Sequence, residues 1–197
     1  MNGRAETAFM VGASLALPPR DILQLDLGAW MVVHYLQIVL FPLAALALSF
    51  LVRGRPGFAA GLCRVGAFLF GVTWVAFDTA AGVTTGLLVA AARASGAPDA
   101  WRPPIMTVWT HPIVGGGATP DSTPPLLAVA GSLAWMIGCL AAAFVLRRAG
   151  SSWIPVALLA ISAVSFLVFR SHTWPGGPLA FGGLAAAAAW TRRPTSD

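Results

Sequence analysis

Apolar residues run through this chain in long blocks, and arginine, proline and glycine gather in the short breaks between them. The blocks are rich in Ala, Leu and Val and show no alternation of period two, so they predict helices rather than strands. Five helices are predicted, over residues 27–52, 57–92, 126–146, 153–169 and 174–190. Their ends are marked by Arg53-Gly54-Arg55-Pro56, by Arg147-Arg148, by Arg170 and by Arg192-Arg193. The second block is too long for one perpendicular crossing: at 1.5 Å per residue it would run roughly 54 Å, against a hydrocarbon core of about 30 Å. Its membrane part is therefore expected to start near Arg64, with the guanidinium snorkelling to the interface, or the helix to bend near Gly82 to Gly86.

The breaks set the rest of the layout. Ala8 to Leu17 is apolar but stopped by Pro18-Pro19, and it is too short to span a bilayer. Residues 1–26 read as an interfacial or re-entrant N-terminal segment, since the start is too weakly basic for a signal peptide. Residues 93–124 form the one long loop, whose Trp101, Trp109 and His111 suggest a stretch lying on the membrane. Residues 27–193 are read as a single transmembrane helical domain and 194–197 as a cytoplasmic tail. With five crossings, the arginines at 53–64, 147–148 and 192–193 share one face, which the positive-inside tendency makes cytoplasmic. The expected fold class is thus an all-α integral membrane protein, a bundle of five transmembrane helices with its N-terminus outside and its C-terminus cytoplasmic. The small residues Gly66, Gly71, Gly82 and Gly86 of the second helix, and Gly182 and Gly183 of the fifth, place those two helices at the centre of the packing.

Composition strengthens this picture. Only 10% of the 197 residues are charged and 57% are apolar, whereas a soluble domain carries about 25% charged residues. The excess positive charge is all arginine, with no lysine, and it sits at the ends of apolar blocks as anchors do. Without a basic stripe or an aromatic stacking platform, nucleic acid is not an expected partner; the lipid bilayer and a lipophilic small molecule are. Cys63 and Cys139 lie singly inside apolar blocks, with no CxxC spacing, and read as small apolar side chains.

Few polar residues remain inside the blocks, and they carry the candidate chemistry. Asp78 is the only acid within a predicted span. A carboxylate in mid-bilayer costs about 2.5–3.5 kcal/mol on insertion scales, so it must face the bundle interior, and intramembrane ionisable residues default to function. A neutral, hydrogen-bonded structural Asp is the alternative. Gly71, Trp74, Asp78, Gly82 and Thr85 fall on one stripe by helical spacing, and Trp30, Met31, His34, Gln37 and Phe41 share a face of the first helix. His172 lies at the mouth of the fifth helix, before Trp174, and His111 in the loop. All three histidines fall on the predicted outer side, so His34, Asp78 and His172 are expected to converge in an outward-facing polar cavity. Asp78, His34 and His172 are the candidate catalytic residues, and Trp30, Gln37, Trp74, Thr85 and Trp174 the candidate substrate contacts.

The block Phe77-Asp78-Thr79-Ala80-Ala81-Gly82-Val83-Thr84-Thr85-Gly86 and the block His172-Thr173-Trp174-Pro175-Gly176-Gly177-Pro178, with His34 ahead of them, resemble a group of small uncharacterised bacterial polytopic membrane proteins with no established activity. That resemblance implies that the three residues act as a set in a cell inner membrane, without naming a reaction. The leading expectation is a membrane-embedded enzyme using acid/base chemistry on a lipophilic substrate. The alternatives are a transporter or transporter subunit for a small solute, a metal-binding or redox protein using two His and one Asp, with Met31 and Met106 as soft ligands for copper, and an assembly subunit whose polar residues only hold helices together. No HExxH, phosphate loop or nucleophile motif singles out a cofactor.

Overall fold

A computed structural model of the protein describes residues 21–116, 124–169 and 175–192. The expected N-terminal segment up to residue 20, His172, Trp174 and the 194–197 tail lie outside the described residues. Within them the chain is helical, and no strand occurs. Helices occupy each of the five apolar blocks: α1, Leu27–Leu51; α2, Phe58–Ala94; α4, Leu126–Arg148; α5, Trp153–Phe169; and α6, Gly176–Thr191. A further short helix, α3, spans Arg102–Trp109 inside the long loop, behind the 3-10 turn Pro98–Trp101. Its sequence signal is the Pro103-Pro104 pair in its first turn, where missing N–H groups cost nothing. Ile105 and Trp109 follow at i, i+4, and both are buried.

Three helices, α1, α2 and α4, are long and apolar enough to cross a membrane, at 25, 37 and 23 residues; α5 is a shorter apolar helix. Large apolar side chains such as Val32, Leu36, Phe58, Phe68 and Phe144 are exposed along them, as suits segments whose solvent is hydrocarbon. The helix α2 stops at Gly96, whose φ of 72° is the left-handed conformation that closes helices and that glycine adopts without strain.

Two compact units divide the described chain: Met1–Leu40 with Thr73–Val129, and Phe41–Val72 with Ala130–Asp197. The second unit is built on aromatic rings and small residues. Phe70 lies 4.5 Å from Trp135, 5.8 Å from Phe41, 6.0 Å from Phe166 and 6.4 Å from Phe181, measured between ring centroids. Around this cluster the backbones come close: a Cβ at Gly66 would stand 2.7 Å from the Ala134 carbonyl oxygen and 2.9 Å from the Gly138 nitrogen. Gly183 packs in the same way on Leu158 and Ser162. The small residues therefore work pairwise, α2 against α4 and α6 against α5, and α2 and α6 meet through the Phe70 and Phe181 rings. Helices in lipid gain little from burying apolar surface, so such close backbone contacts supply much of their association.

The first unit has an apolar cluster of its own, in which Ile22, Leu25, Trp30, Val89, Ala92, Ile105 and Trp109 are buried together. Polar ties surround it. Arg93, in the last turn of α2, donates to the carbonyls of Leu23 at 2.9 and 2.6 Å and of Leu25 at 2.6 Å. Arg102 grips both oxygens of Asp21 at 2.9 Å each and also donates to Asp99 at 2.7 Å. The described part of the long loop up to Trp109 is thus packed against Trp30 of α1 and Val89 and Ala92 of α2.

Candidate functional site

The site is built where α2 departs from α-helical geometry. Asp78–Thr84 forms a π-helical turn within α2, a feature found mostly as single turns at functional sites. The sequence Asp-Thr-Ala-Ala-Gly-Val-Thr suits it, since Thr, Asp and Gly hold the α-helical form weakly. The Thr84 hydroxyl donates to the Thr79 carbonyl five residues back, at 3.0 Å. The Gly82 carbonyl, which takes the Thr85 backbone N–H, also accepts from Trp30 Nε1 of α1, at 2.8 Å in a buried setting.

Opposite this turn stands His34. Its Nδ1 is 2.7 Å from Asp78 Oδ1, with the Asp78 side chain fully buried and that of His34 at 9% exposure. With Nδ1–H donating to the carboxylate, the ring is held in one orientation, and electron density is pushed toward Nε2. A charge-assisted bond of this length in a dry environment is stronger than its equivalent in water.

The ring's position is enforced from both sides. On one side a Cβ at position 82 would overlap the imidazole, so only glycine leaves room for it. On the other the Trp30 indole lies against it, with centroids 4.3 Å apart and planes inclined by 57°. Trp109 of α3 then packs at a tilt against Trp30, with centroids 5.8 Å apart, and the Gly116 backbone in turn faces Trp109 and Ala81. One turn further along α2, Gly86 gives way to the Trp30 ring and the Met31 sulfur.

All of Gly71, Trp74, Asp78, Gly82 and Thr85 are buried, and Trp74 makes an edge contact with Phe77 at 5.3 Å. Gln37, one turn beyond His34, is half-buried. Its Oε1 is enclosed without a hydrogen-bond partner among the described residues, and so is Thr85 Oγ1. Of the expected catalytic set, the structure brings His34 and Asp78 into direct contact, while His172 and the expected contact Trp174 are not described. His111 is exposed and accepts from the Ile113 N–H at 3.2 Å, away from the pair. Among the described residues no group of three His, Cys, Asp or Glu side chains is placed to hold a metal ion.

Sequence reasoning missed three parts of this site: the Trp30 bond to the Gly82 carbonyl, the wall formed by Trp109, and the π turn itself. The i, i+4 pair Ile105 and Trp109 behind two prolines was the available signal for α3. No residue pattern announces a π turn. No protein-family model, curated protein or solved structure matches the chain.

Proposed function

We propose that the protein is a membrane-embedded enzyme that performs acid/base chemistry on a lipophilic substrate, with His34 as the proton-transferring base and Asp78 as its orienting partner. The observation that carries this reading is the buried 2.7 Å contact between His34 Nδ1 and Asp78 Oδ1, braced by Gly82 and Trp30. A carboxylate on Nδ1 fixes the tautomer and stabilises the imidazolium that forms when Nε2 takes a proton. The substrate gives its proton to Nε2 as its reacting atom is activated, and the imidazolium returns that proton later in the cycle, so the pair ends as it began. Bracing matters because such a base works only when held within hydrogen-bond reach of the proton.

The same proposal places the site in an outward-facing cavity of a bacterial inner-membrane protein that crosses the bilayer five times. Support comes from α1, α2 and α4, from α5 at 17 residues and from α6 at 16, near the lower limit of about 17 residues for a span. The arginines support the orientation: Arg53, Arg55, Arg64, Arg147, Arg148, Arg192 and Arg193 fall on the proposed cytoplasmic side.

Two experiments test these readings. A membrane-lipid extract incubated with the purified protein should lose one species and gain another, and Asp78→Asn should abolish the change while the protein stays folded. An extract left unaltered by the wild type sinks the enzymatic reading. For topology, Thr110→Cys should react with an impermeant thiol reagent only from outside and Ser152→Cys only from the cytoplasm. Labelling of both from one side overturns the five-crossing arrangement.

A further inference from the structure

Hydroxyls on helices of this protein usually satisfy themselves on their own backbone. Thr107 donates to the Pro103 carbonyl, Thr110 to Met106 and Ser165 to Ile161, each four residues back, at 2.7–2.9 Å. Thr84 reaches Thr79. Thr85, just after the π turn, is fully buried, yet its Oγ1 has no partner among the described residues. Leaving a buried hydroxyl unbonded costs about 1–3 kcal/mol, so a group that could rotate onto its own helix and does not is a strong sign of an outside partner.

Gln37 Oε1, also without a hydrogen-bond partner among the described residues, lies one turn from His34 along α1, while Thr85 lies one turn from Gly82 along α2. Contacts of Gly82 with His34 and of Gly86 with Trp30 and Met31 show the two segments running antiparallel. Gln37 and Thr85 therefore lie on either side of His34 along the helix axis, about six residues or roughly 9 Å apart. A long glutamine side chain and a ligand head of several atoms bridge such a span; a lone hydroxyl does not.

Charge narrows the chemistry of that head. Gln37 Oε1 only accepts hydrogen bonds, and Asp78 adds a carboxylate, so an anionic head would meet a single donor, the Thr85 hydroxyl, against these acceptors. The described arginines of this unit are already engaged, Arg93 by the Leu23 and Leu25 carbonyls and Arg102 by Asp21 and Asp99, which leaves neither for a phosphate. A cationic head would have to be stripped of water against a carboxylate that already holds His34, a costly exchange in low dielectric. What remains is a neutral head that carries O–H donors. We infer that the ligand of this site is a lipid with an uncharged, hydroxyl-bearing head, bound through Gln37 Oε1 and Thr85 Oγ1 on either side of His34. This deepens the acid/base reading and rests on it.

The test uses four probes with one acyl chain: monoolein, methyl oleate, oleate and oleylamine, titrated against the delipidated full-length protein in detergent and followed by native mass spectrometry. Monoolein should bind about tenfold tighter than the other three, the ratio expected when one or two buried hydrogen bonds are made or missed. Thr85→Val and Gln37→Leu should each cut that preference several-fold. Without lipid, Thr85→Val should melt at or above the wild-type temperature, because it removes an unbonded hydroxyl at constant volume. Equal binding of monoolein and methyl oleate, tighter binding of oleate or oleylamine, or an undiminished preference in Thr85→Val overturns the inference. Turnover by His34→Gln reports on the acid/base reading separately: full activity there removes the base, while the binding ratios still decide the nature of the ligand.

Discussion

In the aromatic unit, the buried Ser162 hydroxyl donates to the Ala180 carbonyl at 2.6 Å and Ser165 to that of Ile161 at 2.7 Å. In the unit that holds His34 and Asp78, the buried Thr85 hydroxyl bonds to nothing among the described residues, and a carboxylate is buried against an imidazole. Both units are made of similar Ala-, Gly- and Trp-rich helices, but glycine serves each differently. Gly66 lets one backbone lie on another, with the obstacles to a Cβ being the Ala134 oxygen and the Gly138 nitrogen. Gly82 lets a backbone lie on a side chain, the His34 ring. The first use gives close, satisfied packing that holds helices together in lipid. The second spends packing quality on placing an ionisable pair, as sites that act on ligands do where local rules are broken.

The most severe disruption of this contrast is expected from His34→Leu, which leaves Asp78 buried without its imidazole. Removing one member of a buried pair costs about 3–5 kcal/mol. Reversible unfolding in mixed micelles should show such a loss, and the double variant His34→Leu/Asp78→Leu should recover part of it. A loss below about 1 kcal/mol, typical of exposed pairs, would mean that the pair is open to water.

Next come the two glycines. Adding a methyl to a close-packed position costs about 1–3 kcal/mol. Gly66→Ala should sit at the upper end, since main-chain atoms cannot rotate aside. Gly82→Ala should sit lower, because the His34 ring can swing away, but that swing separates Nδ1 from Asp78 and should abolish turnover. Smaller again is the hydroxyl comparison: Ser162→Ala should lose about 1 kcal/mol as the Ala180 carbonyl loses its donor, whereas Thr85→Val should lose none. Matching losses in the two would erase the difference between the units.

Much of this frame is legible in the residues themselves. Apolar runs bounded by arginine place the helix ends within a few residues, because a lipid-facing helix needs length and apolarity more than any subtle pattern. The predicted fifth helix, 174–190, is described from Gly176 to Thr191. Pairing His34 with Asp78 is also suggested by scarcity, since a chain with so few intramembrane polar groups must bury them together. What spacing cannot give is the change of register at Asp78–Thr84. A π turn adds one residue to one turn, and the i→i+5 bonds that hold it leave no mark in composition. The Trp30 bond to the Gly82 carbonyl leaves no mark in the sequence either, as it joins groups 52 residues apart. The prolines and glycines around Trp109 read as a loop at the membrane surface, whereas Trp109 ends a helix of eight residues and packs against Trp30.

The gentlest test lies in the polar ties around the site, where the contrast with the aromatic unit is one of exposure. Arg102, above all, and the Leu23 N–H hold the Asp21 carboxyl below the usual carboxylate range. A group whose pKa is lowered on folding stabilises the fold above its unfolded pKa, about 3.9, and that contribution fades as pH falls through the lower folded value. Asp21→Asn should therefore loosen the Arg102–Trp109 helix at pH 7, seen as faster amide exchange of Ile105 to Trp109. Once the pH has fallen below that lowered folded value, the variant and the wild type should converge. The effect should be small and should shrink with added salt, because the Asp21 and Arg102 side chains are 26% and 43% exposed, and exposed pairs are screened. A large, salt-independent effect would instead place this end of the molecule in a dry environment. The cover over the His34–Asp78 pair would then be as firmly closed as the aromatic unit.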